Sequence, residues 1–500
     1  MDLVLINPGG RRLTYQKLAS DLAGIEPPLW IGLLASFARA RKISVAVVDA
    51  DAEGLDPDQT AGRVAEIDPV LAVVVVFGAN PSASTQKMTV AGAICSALAQ
   101  AAPTVKRALA GLHVSALPAR TLREEDVDFV IEGEGPYTIE ALVAALKASA
   151  GRPFGAGGDG LDRVPGLWNR GGDEIAHTDR APLVADLDAD LPGVAWDLLP
   201  MDRYRAHNWH CFDDIDRRSP YAVIYTSLGC PFACSFCCIN ALFGAPGIRY
   251  RSPESVLAEI DLLVERYGVR HIKVIDELFV LKRGRVERIC DMLIERGHDL
   301  NFWVYARVDT VEPGLLAKMK RAGFHWLAYG FESASQRVRD GVGKRSSDGR
   351  TNEAIAWTRQ AGIHIIANFI FGLPDDDLDT MAETLAMAKD HNFEFVNFYC
   401  AMAYPGSRLY EQASARGWAL PESWHQYAQF GTESLPLPTK HLSAADVLRF
   451  RDRAFVDYFS DPRYQRMIRE TFGEEALAHV RRMLEHTMVR KFAPPLGKDA

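Results

Sequence analysis

The chain has 500 residues, 48% of them hydrophobic and 24% charged, which is typical of a soluble globular protein with two or three domains. Its net charge of -9 argues against general binding to nucleic acid or anionic membranes, because both need clustered positive charge. With eight cysteines, no signal-peptide leader and no apolar run long enough to cross a membrane, we predict a cytoplasmic protein with metal-bound or packed thiols rather than disulfides.

The first region, up to residue 150, alternates short apolar segments with helical ones. We predict buried parallel strands at 3–6, 44–48, 72–77, 107–110 and 129–131. Helical stretches lie between them, including 29–41 and 85–101. This alternation predicts an α/β, doubly wound (Rossmann-like) sheet, whose ligand sits beyond the carboxyl ends of the strands.

The loops after these strands are small or glycine-rich, so a broad ligand could approach the backbone closely. They are 7–10, 78–82, 111–115 and 132–136. No Gly-x-Gly-x-x-Gly turn follows the first strand, and no phosphate loop ending in Gly-Lys-Ser or Gly-Lys-Thr is present. A dinucleotide or ATP site is therefore disfavoured.

The connecting segment 151–219 is rich in Gly, Pro and Asp, which marks a domain boundary. We predict a hairpin turn at 168–173 and an extended linker at 186–192. A linker of this length could let the first domain dock its ligand face over the second.

A cysteine loop follows the apolar strand predicted at 222–226. Its three thiols, Cys230, Cys234 and Cys237, have the spacing Cys-x3-Cys-x2-Cys. Three thiolates on one short loop can each bind one iron of a cubane cluster, which leaves the fourth iron open to chelate a small molecule. The loop is therefore interpreted as a catalytic rather than a structural metal site.

Other interpretations of the cysteines are less favourable. A zinc site usually shows paired Cys or His ligands with a fourth ligand at a recognisable distance, and only Cys211 or Cys400 could come close in space. A ferredoxin would show a tighter run of cysteines with a distant Cys-Pro. Cys238 is interpreted as a packed apolar residue.

The second domain resumes the alternation of strands and helices. With the strand before the cysteines, the strands predicted at 271–275, 301–305, 326–329, 364–368 and 395–399 make six. They predict a partial, parallel (β/α)6 barrel with functional residues at the strand carboxyl ends. Ser252 followed by Pro253 predicts the start of a helix.

The tail beyond residue 417 is predicted to be helical. Ser443 and Asp446 resemble a capping box before a helix at 447–459, and apolar residues recur at helical spacing around Tyr464. We favour a small helical domain that packs on the barrel. The alternative is that Trp424 or Tyr427 lines a substrate pocket.

The cysteine loop, with Phe236 just before its last cysteine, resembles the radical S-adenosylmethionine (SAM) enzymes. The loops of the first domain, with Gly-x-His-x-Ser at 111–115 and Gly-Glu-Gly at 133–135, resemble the cobalamin-binding domain that precedes many radical SAM barrels. The resemblance covers about residues 1–410. It implies a cobalamin-binding domain at 1–150, a linker at 151–219, a radical SAM barrel at 220–410 and a helical C-terminal domain at 411–500.

By this resemblance the three cysteines hold a 4Fe-4S cluster, and SAM is contacted from the strand ends. The implied SAM residues are Phe236, Asp276, Glu277, Arg307, Glu332, Ser333 and Asn368. Family members usually hold the SAM amino group with Gly-Gly-Glu, but this chain has Ile-Asp-Glu, so either carboxylate is open. Arg307 could pair with the SAM carboxylate through its bidentate fork. Asp276, Glu277 or Glu332 could instead be helix caps, and Arg307 a surface ion-pair partner.

The resemblance also implies cobalamin contacts. The residues are Asn7, Pro8, Gly111, His113, Ser115, Gly133, Glu134 and Gly135. Asn7 and Pro8 stand where cobalamin domains of another type carry a cobalt-ligating histidine, which implies base-off cobalamin without a histidine below cobalt. His113 could alternatively be a helix cap or a solvated turn residue.

The implied function is a cobalamin-dependent radical SAM enzyme that methylates an unactivated carbon of a small-molecule substrate. A 5′-deoxyadenosyl radical abstracts hydrogen, methylcobalamin supplies the methyl group, and a flavodoxin- or ferredoxin-type protein supplies electrons. One alternative is ring formation or rearrangement without methyl transfer. Another is a non-catalytic corrinoid- or cluster-binding sensor, which would show broken SAM motifs, whereas Gly-Phe-Glu-Ser at 330–333 is intact.

Overall fold

A computed structural model of the chain describes residues 1–19, 22–78, 80–149, 160–171 and 174–493. The first domain contains strands β1 (Leu3–Asn7), β2 (Val45–Asp49), β3 (Leu71–Val76), β4 (Lys106–Gly111), β5 (Phe129–Ile131), β6 (Leu167–Gly171) and β7 (Glu174–His177). They form one sheet in the order β2-β1-β3-β4-β5-β6-β7. The first five strands run parallel, which confirms the doubly wound α/β prediction and its five strands.

Helices flank this sheet and bury it. They are α1 (Arg11–Tyr15), α2 (Leu29–Ala40), α3 (Ala50–Glu53), α4 (Pro57–Ile67), α5 (Met88–Ala101), α6 (Leu112–Ala116), α7 (Pro118–Glu124) and α8 (Pro136–Ala148). Every residue of β1 and β3 is buried, as expected for parallel strands covered on both faces. The helices predicted at 29–41 and 85–101 are confirmed, the second beginning with a 3-10 turn at Thr85–Lys87.

The described residues of the segment that was predicted as a linker are an integral part of the fold. Strands β6 and β7 form the predicted hairpin, whose turn at 172–173 lies outside the described residues, and β6 pairs antiparallel with β5. The stretch predicted as extended contains helix α9 (Leu187–Asp190), because the Asp186 carboxylate accepts hydrogen bonds from the first N–H groups. Trp196 and Tyr204 are buried in the core. The prediction of a plain linker at 151–219 is therefore wrong for these residues.

The second domain is the predicted partial barrel. Its strands are β8 (Tyr221–Ile224), β9 (Ser227–Leu228), β10 (Arg249–Tyr250), β11 (His271–Val274), β12 (Asn301–Ala306), β13 (Phe324–Glu332), β14 (His364–Phe371) and β15 (Phe395–Cys400). Six of them form a parallel sheet in the order β15-β14-β13-β12-β11-β8. Strands β9 and β10 pair separately beside the cysteine loop. All six predicted barrel strands are confirmed.

The barrel helices are α10 (Asn240–Phe243), α11 (Pro253–Tyr267), α12 (Arg283–Arg296), α13 (Pro313–Arg321), α14 (Gln336–Gly341), α15 (Asp348–Gln360), α16 (Leu378–His391) and α17 (Arg408–Ala415). Helix α11 begins as predicted, with Pro253 in its first turn and the Ser252 hydroxyl accepting the Ser255 N–H at 3.1 Å.

The tail contains helices α18 (Ala444–Phe459) and α19 (Pro462–Leu484). Ser443 and Asp446 form the predicted capping box. Tyr458 and Phe459 pack against Phe398 and Phe395 of β15, so these helices cover the last barrel strand. No described helix has both the length and the apolar character needed to cross a membrane.

Two ion pairs, one partly buried and one almost completely buried, hold the parts together. Glu134 of the first domain forms a bidentate pair with Arg249 beside the cysteine loop, at 2.6 and 3.0 Å. Arg251 and Glu259 of the barrel are almost completely buried, and the same Glu259 carboxylate accepts hydrogen bonds from Val194 and Trp196 of the connecting segment. The connecting segment is thus fixed to the barrel through one carboxylate.

The tail also contacts the start of the chain. The Gln16 side chain exchanges hydrogen bonds with the backbone of Val489, both at 3.2 Å, and donates to the Phe430 carbonyl at 2.7 Å. The Tyr15 ring stacks on the Phe430 ring. The first domain and the tail therefore meet directly over the barrel mouth.

We expect Arg251→Met to lower the free energy of unfolding by about 3 kcal/mol, because it leaves the Glu259 carboxylate buried without a cation. Arg288→Met is the matched control, since Arg288 and Glu254 form an exposed pair and should contribute less than about 1 kcal/mol. Urea unfolding followed by circular dichroism measures both. Equal losses in the two variants would contradict the role given to Glu259.

Candidate active site between the two domains

The cysteine loop between β9 and α10 carries Cys230, Cys234 and Cys237. The Cys237 N–H donates to the Cys234 carbonyl at 3.1 Å, and the Gly247 N–H donates to the Cys230 carbonyl at 3.0 Å. Gly229 starts the loop with a φ of +93°, and a Cβ there would lie 2.5 Å from the Gly247 carbonyl oxygen. Only glycine permits this turn, so the backbone sets the positions of the three thiols.

The donor set fits an iron–sulfur cluster. Burial raises the pKa of all three thiols, at Cys237 well above its usual range, so a metal must displace their protons. Among the described residues, no three His, Cys, Asp or Glu side chains converge closely enough to hold a single metal ion. A cubane takes each thiolate on a different iron and so needs a wider spacing, whereas zinc would need four converging ligands. Among the described residues, neither Cys211 nor Cys400 completes a zinc site with the loop cysteines. Cys238 is buried in the core, as predicted.

A cavity adjoins this loop at the carboxyl ends of the barrel strands, and we call it the barrel cavity. Cys237 lines it together with five of the predicted SAM residues: Phe236, Glu277, Arg307, Glu332 and Asn368. The structure thus brings side chains from four neighbouring strands and from the cysteine loop to one space. Asp276 and Ser333 are not among its described lining residues.

Asp276 and Glu277 have different surroundings although they are neighbours. The buried Asp276 carboxylate accepts hydrogen bonds from the Thr226 N–H, the Thr226 hydroxyl and the Ser227 hydroxyl, at 2.5 to 2.7 Å. It ties the end of β8 to the end of β11. Glu277 lines the cavity, and burial together with the adjacent Asp276 raises its pKa to about 8. Of the two carboxylates, Glu277 is the one available to a ligand.

Glu332 and Ser333 are also sequence neighbours that face different surroundings. The register of β13 shifts between Gly330 and Glu332, and Glu332 has a φ of +65° in the left-handed region. This places the Glu332 carboxylate in the barrel cavity. The Ser333 hydroxyl lies 3.2 Å from the Thr384 hydroxyl of α16, on the outer side of the strand. Its predicted contact with SAM is therefore not supported by its position.

Two cations lie beside the cysteine loop. Arg307 stacks over the Phe232 ring of this loop at 4.1 Å and forms a bidentate pair with Asp309. Lys344 pairs with Glu332 at 2.9 Å, and although burial opposes it, Glu332 and Cys234 raise the pKa of Lys344 above its ordinary value. Sequence reasoning missed Lys344, because it lies in an irregular loop without a motif. Both cations are placed to offset the negative charge that the thiolates would carry when they bind a metal.

Asn368 is held in position by its neighbours. Its amide nitrogen donates to the Tyr329 carbonyl at 3.1 Å, and its amide oxygen accepts from Asn397 at 3.0 Å. The side chain therefore has a fixed orientation at the cavity wall.

A second cavity lies between the first sheet and the barrel, and we call it the interdomain cavity. Asn7 and Gly78 line it from the ends of β1 and β3, while Ser227 and Ile275 line it from the barrel. The two cavities share a set of lining residues, which we call the junction. It includes Thr14, Tyr15, Asn80, Gln86, Ile275 and Glu277. A molecule at the junction would contact both domains.

Asn7 is the predicted cobalamin residue that lines the interdomain cavity. Its amide nitrogen donates to Asp49 at 2.7 Å, and its amide oxygen accepts from Lys87 at 3.1 Å. Tyr204 in turn donates to Asp49 at 2.7 Å. Pro8 is buried beside Asn7.

His113 is fully buried, so its interpretation as a solvated turn residue is wrong. Its Nδ1 lies 3.2 Å from the Thr85 hydroxyl, and its ring packs edge-on against Trp424 at 4.4 Å. Burial lowers the pKa of His113 to about 3, which keeps the ring neutral. His113 is not among the described residues that line either cavity. Trp424, which was the alternative prediction for a substrate-pocket residue, covers His113 instead.

The remaining predicted cobalamin residues connect neighbouring loops. The Ser115 hydroxyl donates to the Gly111 carbonyl at 2.8 Å and accepts from the Gly133 N–H at 2.9 Å. Gly135 begins α8, and Glu134 forms the pair with Arg249 described above. Their contact with cobalamin stays a prediction.

A buried charge network borders the interdomain cavity and was also missed from the sequence. Glu26 pairs with Lys273 at 2.9 Å and lies 3.5 Å from His207 Nε2. Burial opposes ionisation, but Lys273 and His207 hold the pKa of Glu26 at about 2. The Gly24 N–H donates to His207 Nδ1 at 3.2 Å, so both ring nitrogens have neighbours within the protein.

Comparison with known families assigns both domains. Residues 224–388 match the radical SAM superfamily, and residues 15–143 match the B12 binding domain. The chain is 30% identical over 438 residues to an uncharacterized methyltransferase of Pyrococcus horikoshii, a match that covers 87% of this chain and 88% of that protein. It is 27% identical over 420 residues to the anaerobic magnesium-protoporphyrin IX monomethyl ester cyclase of Cereibacter sphaeroides, covering 82% of this chain and 63% of the cyclase.

Solved structures show the same architecture. The radical SAM methyltransferase TsrM from Kitasatospora setae, with cobalamin and a 4Fe-4S cluster bound, has a TM-score of 0.68 at 15% identity, covering 97% of this chain and all of TsrM. The cobalamin-dependent radical enzyme OxsB, with aqua-cobalamin and SAM bound, has a TM-score of 0.68 at 16% identity, covering 96% of this chain and 72% of OxsB. At these identities the likeness shows the fold alone.

We expect replacement of Cys230, Cys234 and Cys237 by alanine to remove the cluster, whereas the anaerobically purified natural chain should carry about four irons. Cys238→Ala is the matched control, because this adjacent thiol is packed in the core. Iron and acid-labile sulfide content, with the visible spectrum, measures the effect. Native iron content in the triple variant would contradict the assignment of the loop.

Proposed function

Because the chain belongs to the cobalamin-dependent radical SAM enzyme family, we propose that it methylates an unactivated carbon of a small-molecule substrate. The observation that carries this proposal is the junction, where the barrel cavity beside the cysteine loop meets the interdomain cavity at the first sheet. When bound, the cluster with SAM supplies hydrogen-atom abstraction and cobalamin supplies the methyl group. A substrate at the junction would lie within reach of both.

In the barrel cavity, Glu277 would hold the SAM amino group, since Asp276 already accepts three hydrogen bonds. A carboxylate that meets an ammonium group forms a charge-assisted hydrogen bond, which favours the ionised form of Glu277 despite its burial. Glu277 also lines the junction, so it would fix the orientation of SAM toward the substrate.

Arg307 and Glu332 would contact the rest of SAM. Asp309 and the Arg345 carbonyl engage Nε and Nη2 of Arg307, which fixes the plane of the guanidinium and leaves Nη1 for the SAM carboxylate. Glu332 uses Oε1 to pair with Lys344 and keeps Oε2 as an acceptor for ribose hydroxyls. Asn368, Phe236 and the cavity wall would exclude water around them.

In the interdomain cavity, the protein would bind cobalamin without a histidine below cobalt. Asn7 occupies the predicted position, and Asp49 and Lys87 fix its amide. His207, which does line this cavity, has Glu26 and the Gly24 N–H near its two ring nitrogens. His113 is turned into the core and covered by Trp424. His207 is thus engaged by the protein, whereas His113 lies outside the described cavity lining, and its buried Nε2 has no hydrogen-bond partner among the described residues.

A cyclisation or rearrangement without methyl transfer is the second candidate, because the chain shares 27% identity with a cyclase over most of its length. A non-catalytic sensor is disfavoured, since five predicted SAM residues converge on one cavity. We further propose a cytoplasmic location and a flavodoxin- or ferredoxin-type electron donor, which suit an oxygen-sensitive cluster and reduced thiols.

The function is tested with anaerobic holoenzyme, a chemical reductant and SAM labelled in its methyl group. We expect label in the cobalamin fraction before any substrate is added, and in the product once a substrate is found. A bound cobalamin that never takes up label, with deoxyadenosine still released from SAM, would support the cyclisation candidate. Absence of bound cobalamin would overturn the methylation proposal.

We expect Glu277→Gln to raise the Kd for SAM at least about tenfold, because a charge-assisted hydrogen bond contributes about 1.5–3 kcal/mol. Ser333→Ala is the control and should leave the Kd unchanged, since Ser333 faces α16. Equilibrium dialysis of labelled SAM with cluster-loaded protein measures both. Weakening by Ser333→Ala, with none by Glu277→Gln, would reverse the assignment.

A further inference from the structure

Three tyrosines line the barrel cavity from different parts of the fold. Tyr15 ends helix α1 of the first domain, Tyr305 lies on β12 and Tyr399 lies on β15. Tyr15 lines the interdomain cavity as well, and its ring stacks on the Phe430 ring. The first domain and two separate barrel strands thus each contribute one phenol to this space.

The hydroxyl groups of these three tyrosines form no hydrogen bond with another residue in the part of the chain that the structure describes. Tyrosines that face away from the cavities are satisfied by the protein. The Tyr329 and Thr358 hydroxyls lie 2.8 Å apart, and Tyr458 donates to the Phe393 carbonyl at 2.6 Å. An enclosed phenol without a protein partner costs free energy, so the three hydroxyls are available to a bound molecule.

The three phenols stay protonated at neutral pH. Burial raises the pKa of all three, at Tyr399 to about 12, and the Tyr399 phenol adds to the rise in pKa at Tyr15 and Tyr305. Because such an influence falls with distance, the three groups lie near one another. A protonated phenol donates a hydrogen bond, and an acceptor oxygen is a suitable partner for it.

The junction offers a substrate little charge. Of the described residues that line both cavities, Glu277 is the only acid, and none is Lys, Arg or His. Thr14, Asn80 and Gln86 supply neutral polar groups there, and the other shared lining residues are apolar or aromatic. The two cations of the barrel cavity already pair with carboxylates of the chain. A substrate carboxylate or phosphate at the junction would therefore meet an acid instead of a cation.

We propose that the substrate is an uncharged molecule with an apolar body, which presents a carbonyl oxygen to the phenols of Tyr305 and Tyr399. The inference rests on the proposed function and names the substrate class. Hydrogen bonds from two barrel strands would fix the oxygen and hold the carbon to be methylated at the junction. Both tyrosines would determine specificity, because an analogue without the oxygen would leave their hydroxyls unpaired.

The first arm of the test measures probe binding by anaerobic equilibrium dialysis against holoenzyme loaded with cluster, cobalamin and SAM, without reductant. The probes are 2-acetylnaphthalene, a neutral ketone, and 2-naphthoate, an anion of similar shape. We expect saturable binding of the ketone and at least about tenfold weaker binding of the anion, since a buried anion needs a cation. Lack of ketone binding, or tighter binding of the anion, would overturn the proposal.

The second arm uses the double variant Tyr305→Phe/Tyr399→Phe, which removes two hydroxyls and keeps both rings. We expect its affinity for the ketone to fall at least about fivefold, and its affinity for the hydrocarbon 2-ethylnaphthalene to stay unchanged. Tyr329→Phe is the matched control and should alter neither affinity, because the Tyr329 hydroxyl faces Thr358. An equal loss in the control, or an equal loss for the hydrocarbon, would contradict the role of the phenols.

The third arm separates substrate from cofactors. The double variant should bind labelled SAM and retain cobalamin as the natural chain does. Weaker binding of either one would assign the phenols to that cofactor and overturn the substrate class. Ketone binding to the natural chain without any transfer of labelled methyl from SAM to cobalamin would instead contradict the proposed function, so the two failures are distinguishable.

Discussion

The site depends on the way in which two parallel sheets face each other with the carboxyl ends of their strands. Each sheet alone ends in loops open to solvent, and only their docking encloses the junction. The Glu134–Arg249 ion pair joins the loop after the last parallel strand of the first sheet to the hairpin beside the cysteine loop and crosses this interface. Because Glu134 is almost fully buried, the docked arrangement satisfies a charge that would otherwise be costly. The same contact therefore holds both the domains and the loop that carries the thiols.

In two pairs of adjacent polar residues, one residue faces the ligand space and the other stabilises the fold. Glu277 and Glu332 line the barrel cavity, whereas Asp276 and Ser333 bind neighbouring elements of the barrel. The register shift and the left-handed φ of Glu332 turn its side chain into the cavity, and Asp276 is held by Thr226 and Ser227, so only one side chain of each pair faces the ligand space. The residue that faces a ligand is thus supported by the residue that anchors its strand.

Most of the fold could be predicted from the sequence, because apolar runs and caps are local signals. The strands at 271–275 and 364–368 and the Ser443 cap were predicted correctly for this reason. The sequence could not show that Glu277, and not Asp276, is available to a ligand. Asp276 is engaged by Thr226, which comes close to it only in the folded barrel. Glu26 was missed because its partner Lys273 is distant in sequence, and Lys344 was missed because it lies in an irregular loop outside any motif. The connecting segment was misjudged since its hairpin adds to the edge of the first sheet, where β6 pairs antiparallel with β5.

The hydrogen bonds between Gln16 and Val489 bear on the order of assembly. They join positions separated by nearly the whole length of the chain, and Tyr15 and Phe430 pack beside them at the barrel mouth. During synthesis the first domain and the barrel can form before residue 430 leaves the ribosome, while the entrance is still uncovered. Large cofactors can therefore be loaded into a preassembled, open chamber, and the tail closes it afterwards.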